Sequence, residues 1–145
     1  MAHARKQIRD QLMTTLTGLT TTGSNVFNSR VYDHDALPCI SVYTLSEELG
    51  DESHNKQFRI LNVMVEVRAK AADDLEDDLD KIGAEIEDAI FANGDTTLSN
   101  TCKEFDYDGL DIELSGEAEQ PFGLMTMRFM AMYRVDKTDV ETIIA

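Results

Sequence analysis

The chain has 145 residues, 42% of them apolar and 28% charged, which suits one domain over 1–145 and excludes disordered and fibrous classes. Its formal net charge is −15, spread unevenly: up to Tyr32 four Lys/Arg face one Asp, and beyond it nine face twenty-seven acids. A surface of that sign repels phosphates over about 8–10 Å at physiological salt, which excludes a protein that wraps nucleic acid, although it suits a channel wall past which DNA slides without sticking.

In chain order, the N-terminal MAHARKQIRDQ lacks the apolar core of a signal peptide, and no apolar run reaches the length of a spanning helix, so a soluble protein made in the cytoplasm is expected. Ile8, Leu12, Leu16 and Leu19 recur at three- and four-residue steps and predict a first helix over residues 3–19, ended by Gly18, a threonine run and Gly23. Residues 26–32 suit a short strand. Leu37-Pro38 then opens a second strand, in which Ile40, Val42 and Leu45 share a face opposite Tyr43. The following EELGDESHN predicts a solvated hairpin tip carrying Glu47, Glu48, Asp51 and Glu52.

Residues 60–69 alternate strictly, with Leu61, Val63, Val65, Val67 and Ala69 on one side and Ile60, Asn62, Met64, Glu66 and Arg68 on the other, the signature of a strand. Residues 73–93 form the clearest helix. Leu75, Leu79, Ile82, Ile86 and Ile90 make its apolar stripe, nine acids and Lys81 cover the rest, and Asn93-Gly94 supplies a left-handed stop. Residues 102–114 predict a strand with a turn around Asp108-Gly109, and residues 124–135 a long last strand before a short, partly apolar tail. The class expected is α+β: a mixed, mainly antiparallel sheet of four or five strands with two helices on one face.

Two helices cover only one side of such a sheet, yet both long strands are partly apolar on both sides. The uncovered side predicts self-association, with Ile60, Met64, Leu124, Met130 and Met132 at the subunit contact, where flexible thioethers tolerate imperfect fit.

Chemistry-bearing patterns are sparse. Cys39 and Cys102 stand apart, with no CxxC, and are expected to be partly buried thiols. Asp33, His34, Asp35 and His54 contain groups that bind metals, but adjacent residues of an extended turn diverge and no HxH or HExxH spacing occurs. Asp106, Asp108, Asp111 and Glu113 around Gly109 are similar to half a calcium loop but lack its register, and solvated acids on a strand explain them more simply. No nucleophile elbow, phosphate-binding loop or dinucleotide fingerprint is present, so no catalytic residue, metal or cofactor is assigned.

The succession of a helix, LPCISVYTLSEE, an acidic tip, FRILNVMVEVRAKA, the acidic DDLDKIGAEIEDAI and LMTMRFMAMYRV resembles the tail terminator proteins of long-tailed bacteriophages, the minor tail protein U family and its relatives. The resemblance implies a non-enzymatic virion protein: a homohexameric ring that caps the tail tube, stops its polymerisation and presents a surface to the head–tail connector, or neck protein, around a DNA passage. It implies assembly in the host cytoplasm, no cofactor, and the tail tube protein as a partner. Glu47, Glu48, Asp51 and Glu52 would then face the lumen or the next ring. Two alternatives stay open: a head-closure or tail-completion protein of the same virion, and a small metal-dependent hydrolase built on Asp33, His34, Asp35 and His54.

Overall fold

A computed structural model describes residues 2–28, 37–53, 55–70, 73–115 and 122–144. The elements run α1 (Ala4–Leu16), β1 (Val26–Phe27), β2 (Cys39–Ser53), β3 (Lys56–Lys70), α2 (Leu75–Ile90), β4 (Glu104–Ser115), β5 (Phe122–Asp136) and β6 (Asp139–Ile143). The fold is the expected α+β class, with six strands in one mixed sheet. Their order is β1-β2-β3-β5-β4, β1 parallel to β2 and the other pairs antiparallel, while β6 pairs with β5.

The spine of the sheet is the β3–β5 pair, which runs without a register shift from Lys56↔Asp136 to Lys70↔Phe122. Strict alternation puts Leu61, Val63, Val65 and Val67 of β3 beside Met125, Met127, Phe129, Ala131, Tyr133 and Val135 of β5 on one face, all buried. Both helices pack there. Ala4, Ile8, Leu12 and Leu16 of α1 and Leu79, Ile82, Ile86 and Ile90 of α2 join these residues in one core. Burying each large aliphatic side chain contributes roughly 1.5–3 kcal/mol, so this single layer of contacts dominates stability.

Helix ends follow local chemistry. His3 caps α1, its Nδ1 accepting from the Arg5 amide at 3.1 Å, and Thr17 in an extended conformation stops the helix three residues before the apolar periodicity does. Helix α2 begins with Glu76, Asp77 and Asp78 in the first turn, where acids favour the positive end of the dipole. It ends at Ile90 rather than Asn93. A short 3-10 turn over Ala92–Gly94 follows, with Asn93 at φ 58° and Gly94 at φ 74° in the left-handed conformation. Leu75 at the α2 start packs directly over Gly123 of β5, where an added Cβ would lie 2.6 Å from its Cδ2, so any larger residue there forces the leucine side chain to shift.

Two expectations change. The acidic stretch is not a loop: β2 runs on to Ser53, so Glu47, Glu48, Asp51 and Glu52 lie within a long hairpin with β3. Alternating cross-strand pairing outweighs the local polar composition. The expected turn at Asp108-Gly109 is likewise a bulge inside one strand, where Gly109 takes φ 128° opposite Arg128. Leu45 is 58% exposed at the point where the pairing skips it, between Thr44↔Val63 and Ser46↔Asn62.

Truncating Ile86, fully buried in the α2–sheet seam, to alanine is expected to cost about 3 kcal/mol, whereas Asp80→Ala on the exposed side stays within about 0.5 kcal/mol. Urea denaturation of the two variants checks this.

Candidate functional site

The bulge at Leu45 has a chemical result. Upstream of it the even-numbered residues of β2 face the helices; downstream Glu47 does, opposite Leu61. Its carboxylate, only 18% exposed, meets Arg5 of α1 at 2.9 Å and Arg59 of β3 at 3.5 Å, and accepts from the Tyr133 hydroxyl of β5. Four elements are thereby joined at one end of the sheet. Burial, then the hydrogen bond to Glu47, pushes the Tyr133 hydroxyl well above its ordinary range. Gln7 adds a tie from α1 to β6, donating to the Glu141 carbonyl at 2.6 Å. Glu47 is therefore a structural clasp on the helix side and leaves the set of lumen-facing acids. Glu48 is exposed on the other face, opposite Ile60.

The helix-free face divides in two. At one end Cys39, Ser41, Met64, Glu66 and Arg68 are buried, with Glu66 and Arg68 paired at 3.6 Å and the Arg68 guanidinium 5.0 Å above the Phe122 ring. Met64, at 5% exposure, is closed off within one chain and leaves the predicted subunit contact. Ile60, Leu124, Met130 and Met132 remain partly exposed there. Ile60 pairs with Met132 and Met130 follows one step along the same face, making one apolar patch, while Leu124 stands apart between Arg68 and Glu113.

Sequence patterns gave no sign that the strongest apolar exposure would sit at the strand edges. Leu45 and Leu49 of β2 and Tyr107, Leu110, Ile112 and Leu114 of β4 are the large apolar side chains most exposed among the described residues. The four on β4 lie on the helix side, but α2 packs over β3 and β5 and stops short of them.

Among the candidate metal ligands, Asp33, His34, Asp35 and His54 lie outside the described residues. Asp106, Asp111 and Glu113 lie along extended β4 and Asp108 at its bulge; Asp111 is paired with Arg128. Alternate strand residues stand roughly 6.6 Å apart, so the row does not curl around one ion. Cys102 and Cys39 are both buried, and burial pushes the Cys102 thiol up to about 12, which leaves it unreactive near neutrality. Among the described residues no helix is long and apolar enough to cross a membrane.

The threonine run has a role that periodicity did not disclose. Thr21 donates from its amide and hydroxyl to the two oxygens of Glu85, fixing the α1–β1 connection to α2, and Thr22 is buried. Burial alone would raise the Glu85 carboxyl, but these bonds outweigh it and hold the group below its ordinary value. Hydrogen bonds from Thr97 and Ser99 lower Asp95, and those from Thr138 lower Asp136. Burial and the adjacent Arg5 lower His3.

No family model and no curated protein matches the chain.

Below neutrality the pH dependence has one sign. His3, Glu85, Asp95 and Asp136 each hold their proton less tightly when folded, so the stabilisation is present above the unfolded value and lost as pH falls through the folded one. Stability is expected to decline first below the ordinary histidine value of 6.5, then more steeply below the ordinary carboxyl values of 4.5 and 3.8. Urea midpoints from pH 7 to 3 check it, and Thr21→Val is expected to flatten the carboxyl part. Removing the clasp by Glu47→Ala leaves the Tyr133 hydroxyl and Arg59 without their carboxylate and is expected to cost about 2–3 kcal/mol, read as a lowered Tm.

Proposed function

We propose that this chain is a structural virion protein that assembles as a ring of identical copies on a phage tail tube, ends tube polymerisation and offers its upper surface to the head connector. The observation that carries the reading is a sheet layered by helices on one face only, whose other face leaves Ile60, Met130 and Met132 as a contiguous, partly exposed patch. A second copy covers such a patch most simply, because partly exposed apolar surface on a monomer is removed from water by self-association. Six copies around a passage follow from the resemblance to tail terminators.

Charge supports the same reading. Residues beyond Tyr32 carry twenty-seven acids against nine bases, and Glu48, Asp51 and Glu52 sit together at the far end of the β2–β3 hairpin. Acids facing a channel keep DNA mobile by repulsion, and this needs no site, cofactor or metal. The backbone of that stretch pairs with β3 out to Ser53↔Lys56, so the acids lie on a strand rather than on a free loop.

Negative-stain microscopy and light scattering of the purified protein, alone and with tail tubes, test the assembly. Closed rings seated on tube ends are expected. Met130→Asp with Met132→Asp is expected to give monomers that leave tubes uncapped, since the two thioethers are partly exposed and their replacement spares the core. A wild-type protein that stays monomeric and ignores tube ends, or that binds tail-free heads instead, defeats the reading. Glu48→Gln, Asp51→Asn and Glu52→Gln together are expected to preserve rings while reducing infectivity; unchanged infectivity would leave the hairpin tip as an ordinary solvated end.

A further inference from the structure

The edge strand β4 carries two unlike faces. On the helix side Tyr107, Leu110, Ile112 and Leu114 are 40%, 39%, 46% and 66% exposed. On the opposite face stand Glu104, Asp106, Asp111 and Glu113, with Asp108 at the bulge between them. Five acids and no base lie on the strand. Only β5 pairs with it among the described residues, and only at Phe105, whose amide donates to the Thr96 carbonyl at 2.7 Å, does a backbone bond reach its outer side from a loop. From Asp106 to Ser115 the outer edge is a ladder roughly 30 Å long.

We propose that this edge accepts an extended segment of another protein in which basic and apolar residues alternate, adding it to the sheet as a further strand. The pairing supplies main-chain hydrogen bonds, the apolar residues of the segment cover the Tyr107–Leu114 row, and its lysines or arginines meet the acids on the opposite face. The sheet already contains one example of that complementarity. Arg128 of neighbouring β5 bonds Asp111 across the strands, and that is the one ion pair made by a β4 acid among the described residues. A second copy of this chain fits poorly. β4 against β4 sets five acids opposite five, and the outer stretch of β2 brings Glu48, Asp51 and Glu52, so every self-pairing of long edges sets like charges together. Such an edge is guarded against its own kind and open to a basic strand. This inference does not depend on ring formation.

The test uses the full chain and short synthetic peptides that alternate lysine with valine, against a scrambled peptide of the same composition. The alternating peptide is expected to bind roughly tenfold more tightly than the scrambled one, because only it presents one basic and one apolar face. Raising salt should weaken it, and the amides of residues 107–114 should gain protection from hydrogen exchange. Leu110→Ser, Ile112→Ser and Leu114→Ser together, all at exposed positions, are expected to remove the preference, as are Asp106→Lys, Asp108→Lys and Glu113→Lys together. If the lysine variant fails to fold, the serine variant decides. Equal binding of the two peptides, or protection elsewhere in the chain, overturns the proposal. So does self-association that the serine variant abolishes and the peptide leaves untouched, because the edge then belongs to a second copy.

Discussion

The uninterrupted pairing of β3 with β5 is the constraint on which the rest of the molecule depends. Because no residue is skipped between Lys56↔Asp136 and Lys70↔Phe122, parity along both strands is preserved over their full length, and one face can be given wholly to the core. A single slip would send either Leu61 and Val63 or Phe129 and Tyr133 to the helix-free side, a loss no helix packing could compensate. The irregularities fall in the other pairings: at Leu45 and between Leu49 and Glu52 in β2, at Gly109 in β4, and where β6 joins β5. The central pair is rigid and closed. The flanking strands carry the variation, and with it the exposed edges.

That division separates two kinds of apolar exposure. The patch of Ile60, Met130 and Met132 lies flat on the central pair, where a broad, shallow partner surface can cover it. The row from Tyr107 to Leu114 lies along a free edge, where backbone groups as well as side chains are open. A flat patch suits repeated contact between folded copies, and an edge suits a narrow extended segment. The acids shape both: those on the exposed sides of α2 keep the helix layer solvated and leave the flat patch as an interruption, while those along β4 favour a basic partner at the edge.

Much of the architecture was legible in the residues because period and burial agree there. The two helices, the β3 and β5 strands and the α+β class follow from alternation at two residues and recurrence at three to four, and these signals are strong where one face is wholly apolar. The hairpin was legible as a connection, but the reach of its strands was not. EELGDESHN has the composition of a loop, and its strand character comes from pairing with residues 56–60 and, for Glu47, from cations supplied by residues far away in sequence. Bulges are invisible to periodicity for the same reason, since one unpaired residue disturbs only a local phase. The apolar contact residues were read correctly as lying on the helix-free face, but sequence cannot tell a half-exposed methionine from one closed over by its own chain. Met64 is the latter and Met130 the former. The threonine run carried no periodic signal because its work is done by hydroxyl and amide groups reaching Glu85.

The skipped residue in β2 also means that the hairpin has two conceivable alignments. If Leu45 were taken into the ladder opposite Asn62, Ser46 would slide to Leu61 and Glu47 would turn to the far side beside Ile60. An unpaired carboxylate would then sit in the apolar patch while Arg59 and Tyr133 lost their acceptor, so the ionic group selects the alignment by making the wrong one costly. Glu47 thus acts as a register pin. By fixing the register there it also decides on which side of the sheet Glu48 emerges.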